Sequence, residues 1–237
     1  MKTLVISDLV TMRSALLQLA GICAIVGAFI SIATQSFVAA SAATAIMIPL
    51  MFLFTTSAYD ETRDWELFRL TLPVTRRQVV LGRYASILLV ALLAVVLASV
   101  LGVLLALAAG AVAALAPVPL PEGLVPHEGF VAEIVAGAAV SAVIALVAGA
   151  VTLPLIMRFG MTKGARLVPV VIVLLMSLGI LLAGDDGPLA GMLTGLEAWL
   201  FQGANLALVC VAGVVATLAV YAVSAQVAVG LYERREL

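Results

Sequence analysis

The feature that most limits what this chain can become is a succession of apolar runs, each about 20 residues or longer, separated by short charged stretches. A helix rises about 1.5 Å per residue, so roughly 20 apolar residues are needed to cross about 30 Å of hydrocarbon. The 237 residues are 65% hydrophobic and only 11% charged, with a mean hydropathy of +1.27. Soluble domains are about a quarter charged, so this composition excludes a soluble fold and makes lipid the main solvent. Backbone polar groups cannot stay unpaired in lipid, so each run is expected to be a helix rather than an open strand. The expected fold is therefore all-α: a polytopic membrane protein forming one transmembrane domain over residues 1–237. Six transmembrane helices are expected, at about 15–34, 37–57, 84–110, 132–156, 167–184 and 204–229. The third run, unbroken from Tyr84 to Ala116, is too long for one perpendicular crossing. It should tilt or project, leaving the hydrocarbon near Gly110.

Charge then orients the helices. Lys2 and Arg13 precede span one, and Arg63, Arg69, Arg76, Arg77 and Arg83 lie between spans two and three. Arg158, Lys163 and Arg166 lie between four and five, and Arg234 and Arg235 end the chain, so all 12 Lys and Arg fall on one side. The opposite loops, 116–130 and 185–203, carry Glu122, His127, Glu128, Asp185, Asp186 and Glu197 but no Lys or Arg. By the positive-inside rule both termini and the arginine loops, 58–83 and 157–166, are expected in the cytoplasm. An even number of spans keeps this pattern, which favours six.

The ends and loops differ in character. Val5, Leu9, Met12 and Leu16 share one side of a helical pattern that Lys2, Asp8 and Arg13 interrupt, suggesting an N-terminal interfacial helix over residues 1–14. A signal peptide is the rival reading, but the run from Ala15 to Thr34 is long enough to span and a second run follows at once. Outer loop 116–130 holds four prolines and reads as a stiff crossover, a lid or spacer. In 187–202, Leu189, Met192, Leu193, Leu196, Trp199 and Leu200 recur at helical spacing behind Pro188, which fits a short helix dipping into the outer leaflet with Trp199 as an interfacial anchor. Cys23 and Cys210 lie inside apolar runs and read as small packing residues.

No catalytic, cofactor-binding or metal-binding residues stand out. The spans hold almost no ionisable side chain, Glu133 at the edge of span four being the nearest exception, and a proton- or ion-driven carrier commonly needs such groups at bilayer depth. The one histidine, His127, sits in an outer loop, and no G-x-x-x-x-G-K-[ST] phosphate loop occurs. The chain is not expected to be an enzyme, and no nucleic-acid partner is expected.

The concentrated information lies in Tyr59 to Arg83, which carries nine charged residues. Asp60 or Thr62 could cap a short helix whose first turn holds Glu61 and Asp64 and whose end holds Arg69. Trp65, Phe68 and Leu72 would share its aromatic face, and Pro73 would stop it. Thr75 and Gln78 have the spacing of a capping box, so a new helix should start there and run into span three. Arg76 and Arg77 would then oppose the helix dipole in its first turn, and either lipid phosphates or a docked acidic partner could favour them there.

The run from Leu72 through Tyr84, LPVTRRQVVLGRY, following an acidic and aromatic stretch, resembles the signature of ABC-type exporter permeases of the type-2 class. The segment Pro154 to Arg166, PLIMRFGMTKGAR, resembles the loop between spans four and five of small bacterial members. The resemblance implies a permease in the bacterial plasma (inner) membrane that dimerises, as a homodimer, and binds a separate cytoplasmic ABC ATPase. ATP and Mg would belong to that partner, with no cofactor in this chain. It further implies that residues 60–72 form a coupling helix, with Asp64, Trp65, Phe68, Leu72 and Pro73 fitting the ATPase and Arg76 and Arg77 flanking them. Arg158, Phe159, Gly160 and Lys163 would form the second cytoplasmic loop. The cargo would be amphipathic or hydrophobic, such as a peptide, lipid or drug-like molecule. An ATPase-independent carrier or channel, and a non-transporting scaffold subunit, are the alternatives.

Overall fold

The computed structural model describes residues 2–62, 75–115, 121, 124–125, 127–183 and 204–233. Six helices occur among these residues, in order: α1 (Lys2–Thr11), α2 (Arg13–Thr34), α3 (Phe37–Thr62), α4 (Arg76–Leu115), α5 (Phe130–Ala183) and α6 (Ala204–Glu233). Among the described residues there is no strand, as lipid solvation of the backbone requires. Among the described residues, five helical segments are long and apolar enough to cross a membrane: Leu16–Thr34, Phe37–Asp60, Arg76–Ala113, Phe130–Met161 and Val211–Glu233. The run 167–184 belongs almost entirely to α5, which continues as helix to Ala183. The short outer helix expected over 187–202 lies outside the described residues.

The chain divides into two compact units, residues 1–149 and 150–236. In the first, α2 and α3 meet at a two-residue reversal. Gln35 adopts the left-handed conformation and its N–H donates to the Ser31 carbonyl, which also accepts from Ser36. Ser36 then caps α3, its hydroxyl accepting from the Ala39 N–H at 3.2 Å. Pro49 sits inside α3, tolerated as prolines are in membrane helices whose neighbours enclose the interrupted backbone.

Close approach of backbones, rather than bulky interdigitation, joins α3, α4 and the first part of α5. Ala45, Ala98 and Ala138 form one buried cluster, and the buried Ser41 hydroxyl donates to the carbonyls of Val38 at 2.9 Å and Ile134 at 3.2 Å. Small residues let membrane helices gain dispersion contact where no hydrophobic drive exists between them. Gly102 and Gly137 mark the tightest points: a Cβ on Gly102 would stand 2.9 Å from Ile134 Cγ2, and one on Gly137 would stand 2.7 Å from Val38 Cγ1. Leucine at either position is expected to destabilise the first unit by about 1–3 kcal/mol through overpacking. Alanine at Gly21, which has nothing within 4 Å, should be neutral or slightly stabilising. Thermal unfolding in detergent of the three variants checks this contrast.

The proline-rich connection is fastened rather than loose at its described residues. Leu124 is buried against Phe37, Ala106 and Ile134, and its N–H donates to the Pro121 carbonyl at 2.9 Å. α4 is unbroken past Gly110 to Leu115; at 40 residues it is about 60 Å long, roughly twice the hydrocarbon thickness.

In the second unit, α5 departs from helical geometry at Gly160 alone, with φ 78° and ψ 170°. The stretch 157–166, expected as a loop, is thus helical on both sides of one residue, and Gly164 is helical too. Only glycine reaches this backbone region without strain, so a single position suffices to break the helix. Thr217, Tyr221, Ser224, Ala225, Ala228, Val229 and Tyr232 form the buried stripe of α6, and the Ser224 hydroxyl donates to the Ala150 carbonyl.

Candidate functional site

At the end of the first unit where α3 stops and α4 starts, the local sequence sets up a defined junction. Thr75 and Gln78 form the reciprocal capping box: the Gln78 N–H donates to Thr75 Oγ1 at 3.2 Å, and the Thr75 N–H donates to Gln78 Oε1 at 3.1 Å. α4 therefore begins at Arg76, placing half-buried Arg76 and exposed Arg77 in its first turn.

Two turns further in lies Arg83, with only 2% of its side chain exposed. Its Nη1 donates to Asp8 Oδ2 at 3.1 Å, and its Nη2 donates to Asp60 Oδ2. Asp8 belongs to α1 and Asp60 to α3, so one guanidinium ties three helices together. The Ser86 hydroxyl lies 3.3 Å from the same Asp8 oxygen and 2.9 Å from the Gly82 carbonyl. Thr11, Met12, Thr56 and Tyr59 close around the group, leaving a cavity of about 10 Å³, room for at most one water. The cluster is an internal fastening and not a ligand pocket.

Electrostatics explains why these residues meet. Asp8 is three residues from the end of α1 and Asp60 two from the end of α3, where a negative charge opposes the helix dipole. A charge carried into an apolar helix, as Arg83 is, requires a partner. Two ill-placed carboxylates and one ill-placed cation become mutually favourable when the rigid guanidinium fork reaches both.

Asp60 accordingly lies inside α3, which runs on to Thr62, and does not cap a following helix. Arg83, counted by its charge with the 58–83 loop, lies within α4, the helix expected to start at Thr75 and run into span three. Asp64, Trp65, Phe68, Leu72 and Pro73 lie outside the described residues, although their flanking helices, α3 and α4, are joined by the Asp60–Arg83 pair. In the second unit, exposed Arg158 places its guanidinium 5.6 Å from the centroid of the Phe159 ring, immediately before the break at Gly160; Lys163 follows in the resumed helix. At the far end of the first unit, His127 Nε2 is 3.2 Å from Glu133 Oε1, both more than half exposed.

Sequence reasoning missed the Asp8–Arg83–Asp60 group. Its signal was present: an arginine flanked by Val79, Val80, Leu81 and Tyr84, Ile87 has no reason to be there unless carboxylates converge on it.

A family model described as ABC-2 family transporter protein matches residues 3–233. No curated protein gives a significant match to the chain.

Proposed function

This chain belongs to the ABC-2 family of transporter proteins, and from that premise we propose that it is the permease of an ATP-driven exporter moving an amphipathic or hydrophobic cargo. The family match over nearly the whole chain carries this reading: it supports a multi-pass permease of an ABC transporter, and in our reading nucleotide hydrolysis belongs to a partner ATPase.

The finer steps rest on physical argument. The distribution of all 12 Lys and Arg supports six spans with both termini and the α3–α4 loop in the cytoplasm, within a bacterial plasma (inner) membrane. In this reading the ATPase, with its ATP and Mg, grips the segment carrying Asp64, Trp65, Phe68, Leu72 and Pro73, with Arg76 and Arg77 beside it. Arg158, Phe159, Gly160 and Lys163 belong to the second cytoplasmic segment, where the helix breaks at Gly160. Displacement of the loop would reach two transmembrane helices at once, because Asp60–Arg83 joins α3 to α4 directly beneath it. Rigid elements fastened in this way move as a body rather than deform. A homodimer with the cargo path between protomers completes the scheme. Leu17, Ile25, Phe29 and Ile32 on α2 are 70% exposed or more, surface that lipid or the second protomer would cover.

Copurification from the native host tests the reading. The solubilised chain should retain a nucleotide-hydrolysing subunit and transport only with it. Transport by the purified chain alone would establish an ATPase-independent carrier instead.

A further inference from the structure

The Arg83 hub has one arm whose purpose the permease reading does not require. Asp60 joins the two helices that bound the loop, but Asp8 brings in α1, ten residues at the start of the chain. Among the described side chains of α1, residues 5–11, Asp8 alone is buried; Val5 and Leu9 are half-buried, and Ile6, Ser7, Val10 and Thr11 are exposed. Among the described residues, the enclosed side-chain bonds of this shallowly packed helix are those of Asp8, which accepts from Arg83 and Ser86. At Met12 the backbone leaves helical values, with φ −94° and ψ 5°, before α2 starts at Arg13. α1 therefore meets span-forming α2 at a one-residue irregularity, bridged by backbone bonds from Met12 to Asp8 and from Leu16 to Met12, and is tied to the stem of the loop by a charge.

We propose that Asp8 is a positioning residue that straps α1 to α4 through Arg83, so that nucleotide-driven movement of the α3–α4 stem is passed through α1 to the start of α2. The proposal rests on the permease reading for its driving force. Charge arithmetic makes the strap separable from the fold. Among the described residues the group carries two carboxylates and one guanidinium, and with asparagine at position 8 Arg83 still keeps Asp60 as its partner. Losing Asp8 should therefore release α1 while leaving the α3–α4 stem joined.

Exposed Arg13, at the α1–α2 break, offers a trypsin site whose cleavage needs local opening. The full chain in lipid nanodiscs is digested, and release of the peptide ending at Arg13 is timed by mass spectrometry. Asp8→Asn should speed release about tenfold or more, the scale of losing one charge-assisted hydrogen bond, while Asp8→Glu stays near the wild-type rate. With the copurified ATPase, ATP plus vanadate should change the rate in wild type and not in Asp8→Asn, although Asp8→Asn still hydrolyses ATP. Wild-type release in Asp8→Asn overturns the strap. A nucleotide effect that persists in Asp8→Asn, or is missing from a wild-type complex that hydrolyses ATP, overturns the transmission. Failure to retain any ATPase counts against the permease reading, and the first comparison, made on the chain alone, still judges the strap.

Discussion

Replacing Arg83 with methionine is expected to cost about 3–5 kcal/mol, because it takes from the buried Asp8 and the largely buried Asp60 the guanidinium that they share. The attraction between a buried ion pair and its desolvation cost nearly cancel, so the pair as a whole contributes little. Removing one member leaves only the cost. The triple variant Asp8→Asn, Arg83→Met, Asp60→Asn should consequently recover most of the loss. Arg83→Lys should fall between, since an ammonium is a point charge and cannot reach both carboxylates as a planar fork does. Thermal unfolding midpoints in detergent, read by monodispersity, rank the four proteins. A triple variant no better than Arg83→Met would mean that the guanidinium does something other than neutralise its neighbours.

The second large effect is expected at the loop itself. Trp65→Ala and Phe68→Ala should each weaken ATPase attachment by about 2 kcal/mol, roughly 30-fold, if these aromatics fill pockets on the partner. Membrane insertion should be unaffected. A helix that merely lies among lipid headgroups predicts the reverse, altered lipid affinity with attachment intact. Binding of the ATPase to each variant, titrated in detergent, separates the two.

Much of the architecture was legible because lipid imposes so few solutions. Apolar run length and backbone satisfaction point to helices before any packing is known, and Thr75 with Gln78 announced the start of α4 through purely local chemistry. What stayed hidden was tertiary. Asp8 read as a polar interruption of an amphipathic helix and Asp60 as a cap, since each has an acceptable local role. Their common partner is 75 and 23 residues away in sequence, and no local pattern carries that pairing. Gly160 shows the opposite error. Charged and glycine residues over 157–166 read as a loop, but one residue with positive φ interrupts the helix, and the polar residues around it remain helical. Gly102 and Gly137 are similar: within an apolar run a glycine has no visible partner until Ile134 and Val38 are seen against it.

In the proposed reading, energy enters this permease through the segment between α3 and α4 from a separate cytoplasmic motor. A photo-crosslinking amino acid at position 68, activated in intact cells, tests this most directly. The predicted product joins the chain to a protein bearing a phosphate-binding loop, and Trp65→Ala reduces its yield. Crosslinks to lipid alone, or to proteins on the outer face of the membrane, would contradict it.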